Sequence, residues 1–188
     1  MGEFDDVMLV TLGLGHSPGD GLAAIAAVRF DRASKLIDED GAFYAAVTPE
    51  SCVAHGLRIA PESLKWWSQY PELAQATFDG DLAVGLQAAV VGFADWLTSN
   101  DSPASPRIWS STPSGSMAML RAAFHAAGVA VPWSVLDERC CTTLREEYRP
   151  VNVRKTVTVF SLKSSTWLAV VPSFSIQFTK KRLLSMRR

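Results

Sequence analysis

Asp6-Val7-Met8-Leu9-Val10-Thr11-Leu12-Gly13 and the stretch after it, Leu22-Ala23-Ala24-Ile25-Ala26-Ala27-Val28-Arg29-Phe30, decide the fold. Val7 to Leu12 is a short apolar run closed by Gly13, the pattern of a buried strand. His16 to Gly21 carries Pro18, Gly19 and Gly21, which preset or permit the dihedrals of a turn. Leu22 to Phe30 reads as a second strand, and Ala42 to Val47 as a third that closes a meander.

Downstream the apolar period becomes helical. Pro61-Glu62-Ser63 opens a helix that places Leu64, Trp67, Tyr70, Ala74 and Phe78 on one broad face. Asp81 opens a second, with Leu82, Leu86, Ala89, Phe93 and Trp96 three and four residues apart. Ser99 to Pro106 is a polar loop and Arg107 to Ser110 a short strand. A helix from Ser116 to Ala127 is stopped by Gly128. Val129 to Trp133 is extended, and Asp137 to Tyr148 reads as helical. In the tail, Thr156 to Leu162 and Ser173 to Phe178 alternate as strands do, and only Lys180 to Arg188 is compatible with a helix. The body is thus β-β-β-α-α-β-α with mixed connections, an α/β layer fold. We expect a domain over residues 1–147 and a separate tail over residues 148–188.

At 188 residues with 48% hydrophobic side chains, the chain has material for one domain with a real core. No apolar run approaches the ~18–20 residues that span a bilayer. The opening Met1 to Asp6 is acidic and unlike a secretory leader, so we expect no membrane partner. Cys52, Cys140 and Cys141 are an odd number with two adjacent, and no C-x-x-C pair is present. That argues against a disulfide scaffold or zinc site and for an intracellular, reducing compartment, cytoplasmic or organellar.

Charge is divided unevenly. From Tyr148 to Arg188 there is no Asp, Glu or His, but nine Lys or Arg, leaving nine cations against 19 acids in the rest of the chain. An acidic body with a basic tail suits a polyanionic partner.

The element order resembles a ribonuclease H-like fold, a mixed sheet flanked by helices, here with an atypical β-rich basic C-terminal tail. Several phrases narrow the resemblance. Asp6 to Leu9 with Thr11-Leu12-Gly13 resembles the "VMLDLETLG" strand of small DEDDh 3′–5′ exonucleases, the ribonuclease T, exonuclease VIII and mycobacterial-type exoribonuclease group. Ile25 to Asp31 resembles their second strand. Gly56-Leu57-Arg58-Ile59 with Leu64-Lys65-Trp66-Trp67 resembles "GLRIDPxTxxWW". Ile108-Trp109, Leu120 to Phe124, Val131-Pro132-Trp133 and Asp137 to Cys140 continue in the same order, so the likeness covers residues 5–148.

The resemblance implies phosphodiester hydrolysis by two divalent metals about 3.5–4 Å apart. Magnesium or manganese there needs hard oxygen ligands. An Asp-x-Glu pair belongs on the first strand, where alternate residues share a face. Here either Val10 and Leu12 replace the two acids, or the three residues have shrunk to Val10. A third Asp belongs after Trp109, where this chain reads Ser110-Ser111-Thr112-Pro113-Ser114-Gly115-Ser116. A His-x-x-x-x-Asp motif belongs near the C-terminus, where Tyr148 to Arg188 holds neither residue type and Trp167 and Pro172 have the right mutual spacing. We therefore expect no catalytic residues and no cofactor, with magnesium or manganese bound only if other acids stand in. Asp5, Asp6, Asp20, Asp31 and Asp95 read as solvated surface charges. Of the three histidines His16, His55 and His125, only His16 lies where a base is needed. The expected role is RNA binding or ribonucleoprotein assembly, through Trp66, Arg58, Lys155, Lys163, Lys180, Lys181 and Arg182. An active exonuclease with displaced ligands and a protein-only structural subunit are the alternatives. Trp67 reads as core, whereas Trp66 is open to base stacking. Exposed helix aromatics, Trp66 and Trp96, suggest a homodimer.

Overall fold

The structure is a computed structural model. It describes residues 4–32, 34, 36–38, 40–78, 83–99, 106–143, 158–162 and 165–169, the last two segments by their backbone alone. The chain divides into two compact units, Met1–Tyr148 and Arg149–Arg188.

Strand β1 (Asp6–Gly13) runs through the middle of a mixed sheet. It pairs antiparallel with β2 (Leu22–Asp31), from Asp6 opposite Phe30 to Leu12 opposite Ala24. On its other side it pairs parallel with β6 (Arg107–Ser110), Met8 opposite Trp109. The strands β3 (Leu36–Ile37), β4 (Phe43–Val47), β5 (Ala83–Val84) and β7 (Glu138–Cys140) complete the order β5-β4-β2-β1-β6-β7, with β3 against β2. Between Leu12 and Gly13 the register jumps, because Gly13 faces Leu22 and Ala23 is left over as a bulge on β2.

The two faces of β1 follow from the period of two. Val7 and Leu9 point into the main core, which α4 (Leu86–Leu97) and α5 (Ala118–Ala126) cover with Leu86, Phe93, Leu120 and Phe124. Phe93, Phe124 and Trp133 meet edge to face there, with centroids 5.5–6.4 Å apart. Leu12, on the opposite face, packs into a smaller cluster of Leu14, Ala23 and Trp67. Gly128 ends α5 in the left-handed region, φ +69°, so that the Val129 amide bonds Phe124 O and the Gly128 amide His125 O.

Several boundaries differ from the sequence expectation. Helix α1 (Pro49–Ala54) precedes the region read as one long helix, which is two: α2 (Pro61–Trp67) and α3 (Pro71–Phe78). Pro71 forces the break, since the residue before a proline is disfavoured in the helical region. As a result Leu64 and Tyr70 are exposed, and Ser63 and Trp67 are the buried residues of α2. The next helix starts at Leu86, not at Asp81; Ala83 and Val84 instead pair with Ala46 and Val47. A π-helical turn (Pro113–Met117) leads into α5. Glu138 to Cys140 is strand, because it docks in parallel beside Ile108 to Ser110. Trp96 is not an exposed aromatic: its Nε1 donates to Gly41 O at 2.7 Å and Arg29 lies over its ring at 4.2 Å.

In the tail unit, β8 (Thr158–Leu162) and β9 (Ser165–Ala169) form an antiparallel hairpin in which Phe160 faces Trp167. The strand expected over Ser173 to Phe178 and the stretch Lys180 to Arg188 lie outside the described residues. Among the described residues no helix is long and apolar enough to cross a membrane.

Candidate functional site

In open α/β sheets, ligand sites form beyond the carboxyl ends of the parallel strands. Here those ends belong to β1, β6 and β7 and, toward the other edge, to β4 and β5. Val10 and Leu12 are half-buried on the β1 face opposite the main core, with Leu12 packed against the Trp67 cluster. Ser110 is fully buried, its hydroxyl accepting the Thr112 amide at 3.3 Å. Ser114 sits exposed in the π-helical turn, where the Thr112 and Ser116 hydroxyls lie 3.3 Å apart. The Trp167 side chain and Pro172 lie outside the described residues, as do Lys155, Lys163, Lys180, Lys181 and Arg182.

The end of β7 supplies sulfur. Burial alone would push the Cys140 thiol up, but hydrogen bonds from the Thr143 hydroxyl and from the Thr143 and Thr142 amides outweigh it and hold the thiol below its ordinary value. Burial and the neighbouring Cys140 push Cys141 up to about 12, and its Sγ lies 3.6 Å from Met8 Sδ. All three cysteines are free. Thiolates and thioethers are soft ligands, poorly matched to magnesium or manganese.

The carboxylates have other partners. Asp6 and Asp20 are not solvated surface charges as the sequence suggested. Asp6 is 1% exposed, and Arg107 grips it through Nε at 2.7 Å and Nη2 at 2.9 Å while Trp109 Nε1 donates at 2.6 Å. Asp20 is buried in the turn between β1 and β2, where Oδ2 accepts the His16 and Ser17 amides and Oδ1 meets Arg58. Asp31 bonds Ser34, and Asp95, His16 and His125 are on the surface. Among the described residues no three His, Cys, Asp or Glu stand together as a cation would require. Among the described residues at these positions, Val10, Leu12, Ser110 and Ser114 offer hydrocarbon or hydroxyl and no carboxylate to a hard divalent ion.

What the surface offers instead is aromatic and cationic. Trp66 on α2 is 39% exposed, edge-on to buried Trp67 at 5.1 Å and 4.9 Å from the Tyr70 ring. Beside it opens a cleft of about 320 Å³ lined by Leu14, Leu64, Trp67 and Phe78 and, on the α1 side, by Thr48 and Glu50. Trp67 Nε1, fully buried, has no hydrogen-bond partner among the described residues. Arg58, on the loop before α2, is 71% exposed. Sequence reading placed Asp20 in the turn but not its burial, since a buried acid in a Gly- and Pro-rich turn leaves no signal in composition.

A meandering three-strand start, two parallel strands added beyond β1 and helices on both faces define a ribonuclease H-like fold. The chain belongs to the Rv2179c-like 3′–5′ exoribonuclease domain family, whose model matches residues 6–162. Among solved structures, the metal-free E. coli exonuclease I–single-stranded DNA complex is similar at a TM-score of 0.55 and 17% identity. That match covers 80% of this chain and 31% of exonuclease I. Cell-death related nuclease 4 is similar at a TM-score of 0.55 and 12% identity, over 82% of this chain and 52% of that one. At such identities the likeness is one of fold, and this chain spans about a third of exonuclease I. No curated protein sequence matches the chain.

Proposed function

We propose that this chain keeps the exonuclease fold but binds single-stranded RNA without hydrolysing it. The observation that carries the reading is the carboxyl end of β1, where half-buried Val10 and Leu12 supply no carboxylate, whether both replace an Asp-x-Glu pair or Val10 alone stands for the three residues. A hydrocarbon cannot bind a cation, and the hydroxyls of Ser110 and Ser114 are weak substitutes for carboxylates. The reading of an active enzyme with displaced ligands finds no support from Asp6 or Asp20, since both are engaged by arginine. Fold does not fix activity; the site does.

Binding in this reading has two parts. Trp66 stacks on a base, a contact worth about 1–3 kcal/mol. The tail, with nine cations and no acids from Tyr148 onward, supplies counterion release. The acidic body makes the tail the natural place for a polyanion. A labelled oligouridylate titrated with the full-length chain at several salt concentrations tests this. With about five phosphate contacts, log K against log salt should fall with a slope of ~−3.5. Replacing Lys155, Lys163, Lys180, Lys181 and Arg182 by Gln should flatten that slope. Binding that ignores salt, or is unchanged in the Gln variant, would remove RNA from the reading.

A further inference from the structure

The turn between β1 and β2 is built around one carboxylate. Asp20 Oδ2 accepts the amides of His16 at 3.0 Å and Ser17 at 2.8 Å, and Oδ1 lies 3.2 Å from Arg58 Nη2. Main-chain bonds lock the same two loops together: the Gly21 amide to Arg58 O, the Arg58 amide to Gly19 O, and the Ala60 amide to Leu14 O. A Cβ at Gly15 would lie 2.2 Å from Asp20 Oδ2, so the turn closes tightly on the acid. Asp20 is 8% exposed at its side chain, yet the arginine it holds is 71% exposed. A surface arginine tied only to solvent or to another surface group would wander among rotamers. This one meets a buried carboxylate through Nη2 at 3.2 Å while the side chain stays 71% exposed. Such a guanidinium forms paired hydrogen bonds to a phosphate with little further ordering cost.

We infer that Asp20 is a positioning residue: it fixes the Arg58 guanidinium as a forked contact for a phosphodiester of the bound strand. The inference rests on the RNA-binding reading above. Its signature is that shape matters beyond charge, because a lysine at the same place keeps the charge but cannot hold the fork.

The test is anisotropy of a labelled oligouridylate with the full-length chain and its Arg58→Lys, Arg58→Ala, Asp20→Asn and Asp20→Asn/Arg58→Ala variants, each checked for folding by its melting transition. Arg58→Lys and Asp20→Asn should each weaken binding roughly tenfold. Arg58→Ala should reduce the salt slope by about 0.7, the share of one phosphate. The double variant should bind no worse than Arg58→Ala alone, since Asp20 acts only through Arg58. If the unaltered chain binds but Arg58→Lys and Asp20→Asn match it, the positioning role is wrong and the RNA reading stands. If the two losses add, Asp20 acts on the loop independently and the inference also fails. No binding by the unaltered chain overturns both. Should Asp20→Asn fail to fold, Arg58→Lys, which leaves the turn intact, decides alone.

Discussion

Asp6 carries a buried charge at the start of β1 and is held by three donor groups from β6. Burial pushes its carboxyl up, but the hydrogen bonds of Arg107 and Trp109 and the charges of Arg107 and Arg32 outweigh burial, so its pKa lies below the usual value. A carboxyl depressed in the folded state contributes stability above its unfolded pKa and loses it as pH falls through the folded one. The contribution should therefore be complete at neutral pH and fade below about pH 4. Asp6→Asn should cost about 1.5 kcal/mol, because it weakens charge-assisted hydrogen bonds while Arg107, 40% exposed, keeps solvent and Asp5. Chemical denaturation of both proteins at pH 7 and pH 3 checks this: the difference between them should shrink in acid. An equal difference at both pH values would mean the charge of Asp6 does not matter. The sequence placed Asp6 before a strand but gave no reason to bury it; its partners lie about a hundred residues away, at positions 107 and 109.

Helix α2 separates two adjacent tryptophans by a single step of about 100° around the axis. Trp67 turns inward and is 4% exposed, whereas Trp66 remains on the surface. Trp67→Ala should destabilise the domain by about 3–5 kcal/mol. Trp66→Ala should leave the melting transition nearly unchanged and weaken oligouridylate binding. Paired melting and titration experiments would show whether structure and binding divide between the two rings in this way; equal melting losses would contradict the division. The elements themselves were legible to different degrees. β1, β2, β4, β6 and the Gly128 stop could be read because their apolar periods and turn residues are local. The break at Pro71, the short β5 and β7 and the start of α4 could not. A strand of two or three residues has no period, and its pairing is set by a neighbour distant in sequence. The expectation of replaced metal positions came only from the family resemblance, since valine, leucine and serine in a strand and turn are unremarkable on their own.

At the scale of the whole molecule, two properties stand side by side: a nuclease fold and a charge distribution that places every cation of the last 41 residues, Tyr148 to Arg188, in an acid-free segment. The first positions a cleft lined by Leu14 and Trp67, an exposed Trp66 on the same helix as Trp67, and an arginine paired with Asp20 in the turn after β1. The second supplies long-range attraction that depends on salt rather than on sequence. The central claim is that binding has outlived hydrolysis, and the most direct measurement is a denaturing gel of a 5′-labelled oligoribonucleotide incubated with the full-length chain and millimolar manganese. The expected result is a full-length probe at all times, in the same samples that show a shifted complex on a native gel. A ladder of products shortened stepwise from the 3′ end, abolished by EDTA, would contradict it.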